Sequence, residues 1–191
     1  MSRGLKITLI VLGVLIVLGL AFGKWIIGGY NNVVSMDEQV KSQWAQVENQ
    51  LKRRYDLIPN LVETVKGYAS HEKELFEFIA DARTKYFQAG SVKDKIQASG
   101  DLERSLSRLL LLQENYPQLK ANESFLKLQD SLEGTENRIS VERMRYNDSV
   151  RALNTYIRTV FGKIFAALAG VTSAEYYEVP EAEKEAPKVK F

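Results

Sequence analysis

A single histidine, His71, stands beside Glu72. An imidazole next to a carboxylate can shuttle a proton or supply half of a metal site. A metal needs several convergent ligands, and the chain has no second histidine and no cysteine. Thiol catalysis, disulfides and zinc–thiolate sites are excluded with the cysteines. No Gly-rich phosphate loop and no nucleophile elbow is present. His71 therefore reads as a turn residue at a helix start, and neither a metal, a cofactor nor a catalytic residue is expected. The other polar residues are ordered by spacing. Arg53, Asp56, Asn60 and Glu63 fall at intervals of three and four, so they share one helix face. Glu136, Arg143, Asn147, Asn154 and Arg158 do likewise on a later helix. Two readings are open. Each row can be a solvated face laced with local ion pairs, or the rows can meet as a buried polar network that fixes the register of two helices.

The elements that must carry these rows follow from apolar periodicity. Val33, Met36, Val40, Trp44, Val47, Leu51, Tyr55, Ile58, Val62, Val65 and Ala69 alternate gaps of three and four, the helical period. They predict one helix of about 37 residues, or 55 Å, kinked near 55–60 by Pro59. Ser70 is placed to cap a second helix, with Glu72 and Glu74 in its first turn. Its buried face is Leu75, Phe78, Ile79, Ala82, Tyr86 and Ala89, and Gly90 ends it. The small, polar segment 91–100 reads as a loop, with at most a helical turn around Ile96. A third helix carries Leu102, Leu106, Leu109, Leu110 and Tyr116 and stops at Pro117. Asn122 caps a long fourth helix with the stripe Phe125, Leu128, Leu132, Thr135, Ile139, Tyr146, Val150, Leu153 and Ile157. Glu142 and Arg143 put charge where that stripe misses a beat. Phe161, Ile164, Phe165, Leu168 and Val171 continue at helical spacing over a segment too short to cross a bilayer. No strand-like alternation occurs.

Residues 7–23 carry no charge. With Trp25, Ile26 and Ile27 they make a helix of about 32 Å, enough to cross the hydrocarbon core. Trp25 and Tyr30 sit where an aromatic belt belongs, and Lys24 can snorkel to the headgroups. A cleaved signal peptide, with 21–23 as its small-x-small site, is the rival reading. The length of the apolar run and its resumption after that site favour an anchor. Arg3 and Lys6 precede the run, while Asp37 and Glu38 follow it, so the positive-inside rule puts the N-terminus in the cytoplasm and the bundle outside the plasma (inner) membrane. Gly19 and Gly23 form a small-xxx-small pair of the kind that lets two such helices approach, but glycine is common in membrane helices and a chance pair is the favoured reading. With 26 basic against 24 acidic residues, a net charge of +2 is too balanced for a nucleic-acid face.

The run Leu51-Lys52-Arg53-Arg54-Tyr55-Asp56-Leu57-Ile58-Pro59-Asn60-Leu61-Val62 resembles the LemA family. So do Val65-Lys66-Gly67-Tyr68 with His71-Glu72, Tyr116-Pro117-x-Leu119-Lys120-Ala121-Asn122, and Leu132-Glu133-Gly134-Thr135-Glu136-Asn137-Arg138-Ile139. Arg143-x-x-Tyr146-Asn147-x-x-Val150 and Asn154-x-x-Ile157-Arg158 complete a likeness covering about residues 30–177. The resemblance implies a bacterial-type membrane protein with an N-terminal anchor, an antiparallel helical bundle and no established reaction. One branch of the family is associated with magnetosome membranes. The chain departs from the family near its end. Phe161-Gly162 stands for Phe-Pro, Gly170-Val171 for Gly-Phe, and Tyr176-Tyr177-Glu178 for Tyr-Phe-Glu.

The expected architecture is all-α. A transmembrane anchor (1–29) leads into an antiparallel up-down-up-down four-helix bundle with two long helices (30–159). An amphipathic segment (160–178) and a disordered tail (179–191) follow. Two short helices cover only half of two long ones, which leaves the membrane-proximal stripe bare. Val33, Met36, Val40, Trp44 and Val47, with Phe161, Ile164, Phe165 and Leu168, are then the expected interface of a homo-oligomer centred near Trp44. The expected partners are the lipid bilayer and copies of the same chain, or else an unidentified membrane protein such as a protease or envelope factor. A self-assembling scaffold ranks first, an adaptor or sensor second, an enzyme last.

Overall fold

A computed structural model describes residues 3–178. The expectation of a disordered tail falls outside those residues. Their regular structure is entirely helical: α1 (Arg3–Lys66), α2 (Lys73–Gln88), α3 (Val92–Asn115), the single turn α4 (Pro117–Lys120), α5 (Glu123–Ile157) and α6 (Val160–Ala169). The chain divides into two compact units. Among the described residues, one joins 3–42 to 148–174, and the other joins 43–147 to 175–178.

In the first unit, α1 carries an apolar stretch long enough to cross a membrane. Its side chains are bare: Ile10, Val17 and Leu20 are 65, 64 and 70% exposed. Further along, Val33 is buried in a cluster with Phe165 and Ala166 of α6. Gly29 makes this approach feasible, because the ring of Phe165 occupies the place where a Cβ would sit. Thr159 caps α6 by accepting from Gly162 N–H at 3.1 Å. Gly170 ends it at φ 67°, a left-handed conformation that glycine adopts without steric cost.

In the second unit, the α1 face Trp44, Val47, Leu51, Tyr55, Ile58, Leu61 and Val65 is buried. Pro59 lies inside the helix without ending it. A proline cannot donate to the carbonyl four residues back, and Arg83 of α2 donates to that carbonyl, Tyr55 O, at 3.4 Å. α2 packs on α3, and Tyr55 meets Tyr86 edge-on with centroids 4.6 Å apart.

Four expectations are corrected. α2 starts at Lys73, with Glu72 rather than Ser70 at its N-cap, and it ends before Ala89 rather than at Gly90. Its buried face uses Phe76, whereas Phe78 is 42% exposed. Segment 91–100 is not a loop but the first part of α3. Ser91 Oγ accepts from Asp94 N–H at 3.1 Å and donates to the Asp94 carboxylate at 2.6 Å, a cap that closes the first turn. The small residues Ala98, Ser99 and Gly100 are small because they are buried. The membrane-proximal stripe is not bare either: Val33, Val40, Trp44 and Val47 are at most 7% exposed, and Met36 is half-buried.

Ser91→Ala removes the cap that starts α3. Thermal unfolding followed by circular dichroism should show a loss of about 1 kcal/mol, within the usual range of 0.5–2 for such caps.

Candidate functional site

The first polar row is solvated. Arg53, Asp56, Asn60 and Glu63 are all exposed. Asp56 pairs with Lys52 at 2.7 Å and Glu63 with Lys66 at 3.0 Å, both within α1. Such pairs contribute roughly 0–1 kcal/mol each. One residue along, Arg54 turns inward, is buried, and forms an ion pair with Glu136 of α5. Arg143 of α5 pairs with Glu103 of α3, and both side chains are almost fully enclosed. Among the described residues the second unit therefore holds three cross-helix ion pairs: Arg54 with Glu136, Arg143 with Glu103, and the half-buried Lys95 of α3 with Glu48 of α1.

Residues 171–178 form no regular element, and Tyr177 lies against these groups. Tyr177 is buried. Its hydroxyl is 2.5 Å from Ser99 Oγ, and the Arg143 guanidinium sits over its ring at 4.5 Å. Asn147 holds its backbone from both sides: the Tyr177 N–H donates to Asn147 Oδ1 at 2.8 Å, and Asn147 Nδ2 donates to Tyr177 O at 3.0 Å. The Tyr146 hydroxyl donates to Glu175 O at 2.8 Å. Trp44 packs against the rings of Tyr146 and Tyr177, with centroids 5.4 and 6.2 Å away. A primary amide presents one acceptor and one donor on the same side, so it pairs with a backbone residue as a neighbouring strand would. In the first unit Asn154 repeats the device on Ala174, with both bonds at 2.9 Å. The spacing of seven between Asn147 and Asn154 puts both amides on one face of α5.

Burial dominates the electrostatics. It pushes the hydroxyls of Tyr55, Tyr86 and Tyr177 well above the usual tyrosine range and that of Tyr146 up to about 12. It also lowers the Arg54 guanidinium, an effect opposed by the charge of Glu103. The Tyr55 hydroxyl finds no hydrogen-bond partner among the described residues.

His71 is exposed in the turn between α1 and α2, and Arg158 is exposed at the end of α5. Among the described residues no group of three or more His, Asp or Glu gathers to hold a metal. Of the expected interface, Trp44 faces Tyr146 and Tyr177, and Phe165 faces Val33, while Phe161, Ile164 and Leu168 are exposed. Arg54, Ser99, Glu103 and Tyr177 were not among the expected site residues. Glu103 carried a signal. Ser99, Leu102, Glu103 and Leu106 follow an i, i+3, i+4, i+7 pattern, which puts a carboxylate on an apolar stripe where it needs a cation.

Tyr177→Ala should destabilise the second unit by about 3–5 kcal/mol in urea unfolding, as for other large buried aromatics. Tyr177→Phe should cost only about 1 kcal/mol, the value of one buried hydrogen bond. The buried tyrosines also set an alkaline limit. Their folded pKa values exceed the unfolded value of about 10, so the unfolded chain gives up protons first as pH rises. The stability they contribute is fully present below about pH 10 and is lost above it, in the Tyr146 case between about 10 and 12. Tyrosine ionisation followed by ultraviolet absorbance should therefore lag and then coincide with loss of helical circular dichroism.

The LemA family model matches residues 43–191. The chain is also similar to the magnetosome proteins MamQ 1 and MamQ 2 of Paramagnetospirillum magneticum. Each is 26% identical over 204 residues, covering 93% of this chain and 74% of the relative. The magnetosome protein MamQ of Magnetospirillum gryphiswaldense is 24% identical over 183 residues, covering 82% of this chain and 67% of the relative.

Proposed function

The chain belongs to the LemA family, and from that premise we propose that it is a non-enzymatic scaffold of the membrane that assembles with copies of itself. The observation that carries this reading is where the polar side chains of the family-like runs are spent. Arg143 is engaged by Glu103, Glu136 by Arg54, and Tyr146, Asn147 and Asn154 by the backbone of residues 174–177. Groups so engaged hold helices and the C-terminal segment together and are not free to turn over a substrate. The chain's work then falls to its surfaces and its anchor. On this reading the anchor crosses the plasma membrane once, with the N-terminus in the cytoplasm and the bundle outside.

Self-association runs through the span. Trp44 and its neighbours are covered within the chain, so they are withdrawn as its centre. Gly13, Gly19 and Gly23 meet nothing within 4 Å of an added Cβ. Gly19 and Gly23 lie one turn apart, which supports close packing of a second span against them. An adaptor role has one observation in its favour. A groove of about 290 Å³ is lined by the apolar Ile58, Val62 and Phe76 together with the charged Glu63, Lys66 and Arg83.

Light scattering of the full-length chain in detergent should give an oligomer. Joint Gly19→Leu and Gly23→Leu substitution should weaken it at least about tenfold, or ~1.4 kcal/mol. Trp44→Ala should lower the melting temperature without changing the oligomer. A wild-type monomer that cross-links in native membranes only to a different protein would favour the adaptor instead.

A further inference from the structure

α6 reads VFGKIFAALA, ten residues with one charge. A helix that apolar normally buries itself, yet this one buries a single face. Gly162, Phe165 and Ala166 are enclosed, the last two beside Val33 of α1. Phe161, Ile164 and Leu168 are 56, 53 and 61% exposed, and their spacing of three and four puts them on one face. A contiguous apolar face of this kind marks a contact.

Its position on α1 identifies what covers it. The Trp25 indole meets the rings of Phe161 and Phe165 edge-on, each with centroids 5.1 Å apart. Trp25 lies in the last turns of the apolar run 7–27, the level at which a span leaves the hydrocarbon and an aromatic belt forms. α6 is therefore held against α1 at that level. Its bare face continues that of the span, where Phe22 and Ile27 are 60 and 62% exposed. Charge agrees. Residues 1–36 and 149–174 contain no Asp or Glu. Lys24, Arg158 and Lys163 are exposed there, and none of them makes an ion pair among the described residues. An apolar helix face flanked by lysine, arginine and aromatic rings is the chemistry of a helix lying in the membrane plane, and anionic headgroups supply the missing countercharge.

We infer that α6 is an interfacial membrane helix beside the anchor, with Phe161, Ile164 and Leu168 among the acyl chains and Lys24, Arg158 and Lys163 at the lipid phosphates. The chain then holds the bilayer at two places, a span through both leaflets and a wedge in one. This goes beyond the scaffold reading and does not need it.

The chain has no cysteine, so Ile164→Cys supplies a unique thiol at an exposed position. That thiol can carry an environment-sensitive fluorophore in the full-length chain, reconstituted in vesicles of phosphatidylcholine and phosphatidylglycerol. Ser140→Cys, on an exposed face of α5, is the reference. The label at 164 should emit at shorter wavelength and lose about half its intensity or more when the lipids carry bromine on the upper acyl chain. The label at 140 should do neither. Water-like emission at 164 in carbonate-resistant, inserted protein overturns the inference. So does a blue shift without lipid quenching, because the cover is then a second copy of the chain.

Discussion

The ion pair between Glu103 and Arg143 is the constraint on which the rest of the second unit depends. A carboxylate and a guanidinium removed from water each lose several kcal/mol of hydration, and their attraction offsets this only when geometry and further hydrogen bonds are favourable. Here each charge comes from a different helix, α3 and α5, so the offset exists only at one register of those helices. The pair is also roofed. The Tyr177 ring lies against the Arg143 guanidinium, excludes water and adds a cation–π contact. Its hydroxyl reaches Ser99, one helical turn before Glu103. The pair thus links three stretches far apart in sequence.

The course of the irregular segment 171–178 follows from that arrangement. A segment outside helices and sheets has backbone groups that need partners if they leave water. Asn147 and Tyr146 provide them in the second unit, and Asn154 provides them in the first. With its backbone satisfied, the segment can bury Tyr177 and lay it against Trp44. That contact removes from solvent the stripe on α1 that two long helices alone would leave open. In the first unit α6 does the same for Val33. In the first unit the large apolar side chains left bare lie on α1 up to Tyr30 and on the outer face of α6.

Much of this was legible. Period-3.6 stripes gave the helices, the charge-free run gave the long apolar stretch of α1, and Asn122 was identified as the cap of α5, where Phe125 N–H donates to its side chain at 2.9 Å. The errors have physical causes. Segment 91–100 looked like a loop because small and polar residues favour turns, but Ala98, Ser99 and Gly100 are buried in the helix, and Ser91 with Asp94 starts it. Arg53 and Arg54 stand about 100° apart on the helix. Only Arg54, adjacent to the buried Tyr55, faces inward, and a row drawn at intervals of three and four selected the other. The segment 171–178 has no period to read. Its partners are amides 20 and 30 residues earlier, and pairing of that kind is set by tertiary structure.

The central claim is that Glu103 and Arg143 form a coupled buried pair rather than two independent surface charges. A double-mutant cycle of Glu103→Ala and Arg143→Ala, read by urea unfolding of the full-length chain in detergent, isolates that coupling. Each single substitution should cost about 3–5 kcal/mol, because it strands the other charge. The double substitution should cost much less than the sum, giving a coupling of about 2 kcal/mol or more. Additive costs, with a coupling below about 0.5 kcal/mol, would contradict the account.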